Sequence, residues 1–177
     1  MSRFRGRGQQ VPADVAARAD LDGEKVLASA ETTDGTWLFG TRDALVVVDP
    51  VETRRIVWEQ VQHADWDRET DTLRVVEVAP YGERSPVHTL GLEEPGRLLQ
   101  LVRERITASV VLSRRVPVTG RKGLTVIGRR PPRGTGEITG EITWGFDLDP
   151  GLDPDDPAVL EAGAAGLREA RRDLGLE

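Results

Sequence analysis

The apolar residues of this chain change period once, and that change limits the folds open to it. From Glu24 onward they recur at every second position in short runs: Val26, Ala28 and Ala30, then Thr36 to Gly40, then Ala44 to Val48. Alternation of this kind marks half-buried strands. Thr33-Asp34-Gly35 and Thr41-Arg42-Asp43 supply turns between the runs, and Asp49-Pro50 ends the third, because proline has no N–H for a strand ladder. Arg54 to Val61 reads as the next strand, with Ile56, Trp58 and Val61. The turn Arg68 to Asp71 then leads to a strand through Leu73, Val75 and Glu77, and a shorter one runs from Pro86 to Leu90. Consecutive short strands joined by tight turns predict an antiparallel meander.

The period then becomes helical. Leu98, Val102, Ile106 and Val110 recur every four residues, Pro95 suits a first helical turn, and Glu93 and Glu94 complement the positive end of the dipole. This predicts a helix from about Glu94 past Thr107, ending near 108 or near 115, since Val110 to Leu112 serve equally well in a strand. A strand around Val116 to Val118, a turn at Gly120 to Gly123 and a strand from Leu124 to Arg130 follow. Pro131 to Gly136 reads as a flexible loop and Ile138 to Leu148 as the last long strand. Asp156 and Pro157 open a final helix whose narrow apolar stripe runs through Leu160, Ala164, Leu167, Ala170/Arg171 and Leu174. Residues 13–20 make a short helix and residues 1–12 a disordered basic tail, leaving a single α+β domain over 13–177. The expected core is Val26, Leu38, Leu45, Val47, Ile56, Trp58, Leu73, Val75, Leu98, Val102, Ile106, Leu124, Val126, Trp144 and Phe146.

Composition removes several chemistries. The 177 residues include no cysteine, which excludes disulfides, thiolate nucleophiles and zinc–thiolate or iron–sulfur sites. No apolar run approaches bilayer-spanning length, and no apolar stretch follows the basic N-terminus, so the expected location is the cytoplasm. All basic residues except Lys25 and Lys122 are arginine, as GC-rich bacterial genomes favour. The net charge of −6 argues against a general nucleic-acid binder. That charge is uneven, however. Residues 114–133 contain Arg114, Arg115, Arg121, Lys122, Arg129, Arg130 and Arg133 with no acid, whereas residues 147–156 hold five aspartates with no base.

The basic hairpin is therefore the most function-like feature, and Arg114, Arg115, Arg121, Lys122, Arg129 and Arg130 are the candidate partner- or ligand-binding residues. The plainer reading is a solvated arginine-rich surface balanced by the acidic stretch. His63, with Glu59 and Asp65 near it, and His88 are the two histidines, and neither sits in a nucleophile motif. The stretch Asp147 to Asp156 lacks the ligand spacing of a calcium loop and reads as Asp-Pro turns that end a strand and cap a helix. No Gly-rich fragment opens a helix in the manner of a phosphate cradle. Of the tryptophans, Trp37, Trp58 and Trp144 belong to the core, and Trp66, between Asp65 and Asp67, is the one expected to be partly exposed.

The segments Thr36 to Val48, Arg54 to Val61 and Leu73 to Val76, followed by an amphipathic helix, resemble bacterial pleckstrin-homology-like proteins. Hypothetical proteins of high-GC actinobacteria are similar too. Over residues 24–112 the resemblance implies a bent sheet or partial barrel capped by the Pro95–Val110 helix, typical of a binding or scaffold module. The strands and helix after Val116 depart from that pattern. The expected fold class is thus α+β, a strand meander with two amphipathic helices. The expected function is a non-enzymatic binding module for a protein partner, met through a sheet edge or the 114–133 hairpin. The alternatives are an anionic ligand, a lipid headgroup or nucleic acid, at the same basic patch, and an unrecognised hydrolase using a histidine. No cofactor and no metal are expected.

Overall fold

Alternation at Trp37–Gly40 and Ala44–Val48 closes the first hairpin pair, and the computed structural model of the chain shows what that pair builds into. It describes residues 11–21, 23–132 and 141–176. β1 (Ala28–Glu31), β2 (Trp37–Gly40), β3 (Ala44–Val48) and β4 (Thr53–Val57) form a four-stranded antiparallel sheet in chain order. The β1–β2 turn is held by its own side chains: Asp34 accepts from the Thr32 hydroxyl and from the Thr36 amide, and these bonds hold its carboxyl below the usual carboxylate range.

Arg54 to Val61 does not form one strand. β4 ends at Val57, Trp58–Gln60 make a single 3-10 turn, and β5 (Val61–Asp67) starts a second sheet with β6 (Thr72–Glu77) and β7 (Val87–Gly91). Trp58 is fully buried at this corner, and its indole N–H donates to the Thr41 carbonyl at 3.2 Å. The tryptophan satisfies its polar atom while its ring fills the space between the sheets.

α2 (Leu98–Ser109) lies against both sheets. Its Leu98 and Val102 join Ala30, Leu38, Leu45, Ile56, Trp58, Val61, Leu73, Val75 and Leu92 in one core. Each such fully buried aliphatic side chain contributes on the order of 2 kcal/mol. The helix starts later than its acidic lead-in implied, with the Leu98 amide bonded to the Pro95 carbonyl, and it stops at Ser109 because Val110 turns extended. The meander and its helix are thus present as an α+β fold, and the sheets do not close into a barrel.

β2 and β3 are buried on both faces, which simple alternation does not predict. α1 (Ala13–Arg18) covers the second face: Val15 and Ala19 pack with Trp37, Phe39, Ala44, Val46 and Val48, and Val11 joins them. Residues 1–10 of the expected tail lie outside the described residues, but Val11 and Pro12 belong to this packing, Pro12 accepting from the Ala16 amide.

The chain beyond α2 builds a third antiparallel sheet, ordered β10 (Thr143–Leu148), β9 (Lys122–Arg129), β8 (Val110–Thr119), and covers it with α3 (Pro157–Asp173). β8 is much longer than the Val116–Val118 strand read from sequence. Its partly buried positions Leu112, Arg114, Val116 and Val118 alternate with exposed ones, the arginine stem standing where an apolar residue is usual. The first part of the Ile138–Leu148 strand, and most of the Pro131–Gly136 loop, lie outside the described residues. Asp156 does cap α3, its carboxylate accepting from Ala158 at 2.8 Å.

The buried stripe of α3 is Val159, Gly163, Gly166 and Ala170; it shares Ala170 with the expected stripe and is otherwise rotated from the Leu160–Ala164–Leu167 line, whose residues are partly buried. Small residues let the helix approach closely: a Cβ on Gly163 would overlap the Tyr81 ring, and one on Gly166 would meet Val116 Cγ2 at 2.6 Å. The Tyr81 hydroxyl donates toward the Val159 and Leu160 carbonyls, and its ring packs on Phe146 at 4.2 Å.

Two further contacts join this part to the meander. A bulge at Gln62 in β5 re-aims that residue, whose Nε2 donates to the Phe146 carbonyl at 2.9 Å. Arg129, 3% exposed, donates to the Ile106 and Gln62 carbonyls and the Ser109 hydroxyl. Burial lowers its pKa, and the charge of Asp147 opposes that shift. Gly163→Ala should lower unfolding stability by about 2 kcal/mol, read by chemical denaturation, because the Tyr81 ring must move. Arg129→Met keeps the stem but strips three acceptors of their donor, and should cost about 2 kcal/mol in the same assay.

Candidate partner-binding groove

The cations of the basic hairpin are mostly engaged within the chain. Arg114, on the α3 side of β8, pairs with Glu169 at 2.7 Å and with Asp173. Arg115, on the opposite face, forms a two-pronged bond to Asp149, and the Gly123 amide donates to the same carboxylate at 2.9 Å. Lys122 reaches the Gly151 carbonyl at 3.4 Å, and Arg129 is the buried residue described above. Arg130 is partly buried and engaged, and Arg121 stands exposed at the hairpin turn. The structure therefore does not bring the six candidates together on one surface. The acids that balance them come from the 147–156 stretch and from α3.

The histidines sit apart. His88 Nε2 lies 2.5 Å from Glu77 Oε1 on neighbouring strands, both groups mostly buried, and it lines none of the larger recesses. His63 is 3.5 Å from Asp65, and both are substantially exposed on β5.

That strand borders the feature the sequence does not disclose. β5 is an edge of its sheet, paired with β6 alone. α2 packs against β5 and against Leu73 of β6, and between strand and helix runs a groove of about 590 Å³. On the strand wall stand His63, Ala64, Asp65 and Trp66, with Arg68 at one end. The helix wall presents Leu99, Arg103, Ile106 and Thr107, spaced to share one face. Trp66, Leu99 and Ile106 are half-buried against the main core and show their remaining apolar surface to the groove. Trp66 is thus the partly exposed tryptophan expected, and Trp144 is partly buried as well.

Among the described residues, Arg68 and Arg103 have no ion-pair partner, whereas Asp65 faces His63. The one hydroxyl lining the groove belongs to Thr107. No described helix is long and apolar enough to cross a membrane. Compared with protein-family models, with curated proteins and with solved structures, the chain matches none.

Asp149 has the most perturbed acid of the hairpin region: the Arg115 guanidinium, then the Gly123 amide, hold its pKa at about 2 against an ordinary 3.8. A carboxyl depressed in this way stabilises the fold above the ordinary value, and the contribution is lost as pH falls from about 3.8 to about 2. Asp149→Asn should therefore flatten the acid limb of the stability profile in that window, measured by denaturation at a series of pH values. An unchanged limb would mean that the Arg115–Asp149 pair does not persist in solution.

Proposed function

We propose that this chain is a cytoplasmic, non-enzymatic binding module of pleckstrin-homology-like design that takes an extended segment of a partner protein into the β5–α2 groove. The observation that carries this reading is an unpaired strand edge running alongside an apolar trough. A free edge offers main-chain donors and acceptors in the spacing that an added strand satisfies, and a flanking trough selects its alternate side chains. Among the described residues β5 is one of six sheet edges, and the groove beside it sets it apart: its Gln62 carbonyl is taken by Arg129, while His63 to Trp66 line the trough.

The groove also indicates what the segment carries. An apolar side chain fits over Trp66, Leu99 and Ile106, and an acidic one answers Arg68 and Arg103 at the rim. The engaged state of Arg114, Arg115 and Arg129 weighs against the basic hairpin as the docking surface for either a protein or a polyanion.

Peptides selected from a random library against the full chain should enrich for an apolar residue near an acid. On binding, they should perturb amide resonances of His63 to Asp67 and Leu99 to Thr107. Arg103→Glu, at an exposed position, should weaken them by about tenfold and leave the thermal transition in place. Enriched peptides whose perturbations fall on other strands, or no enrichment at all, would overturn the reading.

A further inference from the structure

α2 is a ridge with two flanks, and the flank away from β5 faces the residues that enter β1. There Arg97, Leu101 and Arg105 of the helix region and Lys25 to Ala28 of the facing chain line a second recess of about 310 Å³. Gln100 touches both recesses, and otherwise the two share no lining residue. Lys25, Arg97 and Arg105 thus converge from two separate elements on one space.

Their electrostatics is unbalanced. Among the described residues none of the three has an ion-pair partner. The carboxylate in the lining, Glu104, is exposed and already accepts from Gln100 Nε2 at 2.7 Å. Arg105 is half-buried, and its Nε is fully shielded from solvent with no acceptor among the described residues. Three like charges around one recess repel each other, and a shielded guanidinium N–H without an acceptor is disfavoured. The repulsion is removed by an anion seated in the recess. Guanidinium forks match the oxygens of a phosphate, and the ammonium of Lys25 adds a point charge. Val26, Leu27 and Leu101 supply an apolar wall beside the cations, as an organic body attached to that phosphate would need.

We infer that this recess is a binding site for a phosphate group borne on an organic molecule, with Arg105, Arg97 and Lys25 as its contacts. The site stands independently of the β5 groove.

The test uses the full chain and inorganic pyrophosphate, titrated at constant ionic strength while amide resonances are followed. Saturable shifts at Lys25 to Ala28 and Arg97 to Arg105 are expected. Arg105→Gln should weaken binding by about tenfold or more, and so should Arg97→Gln, which lies at an exposed position and spares the fold. Glu104→Gln should tighten it. Shifts that never saturate, or that persist undiminished in both arginine variants, would overturn the assignment. Co-sedimentation with phosphatidylcholine vesicles, with and without phosphatidic acid, separates the sources. Binding to phosphatidic acid that is lost in Arg97→Gln assigns the phosphate to a lipid headgroup, and binding of pyrophosphate alone assigns it to a soluble ester. Binding to neither refutes the site.

Discussion

The fold depends on how the chain turns at Trp58. Up to Val57 the backbone belongs to the first sheet, and from Val61 it belongs to the second. The 3-10 turn between them is a corner whose inside is filled by one fully buried indole, tied to the Thr41 carbonyl of the β2–β3 turn. The Trp58 amide is bonded to the Asp43 carbonyl of the same turn, so the corner is fixed by main chain as well as ring. With the corner set, residues of both sheets share one core with Leu98 and Val102 of α2. The groove beside β5 follows from this arrangement, since the helix packs on that core without pairing with the strand edge next to it.

The joint between the meander and the third sheet is built differently. Its packing is completed by polar contacts: Gln62 on Phe146, the Tyr81 hydroxyl on α3 carbonyls, and Arg129 on two carbonyls and a hydroxyl. A buried guanidinium surrounded by neutral acceptors is a demanding element, because each acceptor must stand in one place relative to its planar fork. It fixes the end of α2, the bulge of β5 and the last residue of β9 with respect to one another. Geometry of this kind contributes specificity of arrangement more than net stability.

The meander and the long helix were legible because period two and period four survive in the residue string. Ten of the expected core residues, Leu38, Leu45, Ile56, Trp58, Leu73, Val75, Leu98, Val102, Leu124 and Val126, are buried, and Val26, Val47, Ile106, Trp144 and Phe146 are partly so. What escaped notice has physical reasons. The break at Trp58 carries no glycine or proline, since a tertiary contact bends the chain there. The length of β8 is hidden by Arg114 at an inward position, and the stripe of α3 by glycines, which a hydrophobic pattern does not count. The basic hairpin was visible as residue types, but its partners Asp149, Glu169 and Asp173 lie too far along the chain to be paired by inspection. The β5 groove had no signal at all beyond Trp66, because its walls come from elements separated by two strands and a turn.

The junction of α2 with β8 contains no loop: Ser109 ends the helix and Val110 begins the strand. Most helix-to-strand connections include flexible residues that damp small displacements. Here a tilt of α2 passes straight into the first rung of the third sheet, with Arg129 gripping both the Ile106 carbonyl and Ser109 at the pivot. The end of α2 and the start of β8 are therefore one joint without a hinge, whose geometry is set by the backbone of Ser109 and Val110 and by the Arg129 bonds.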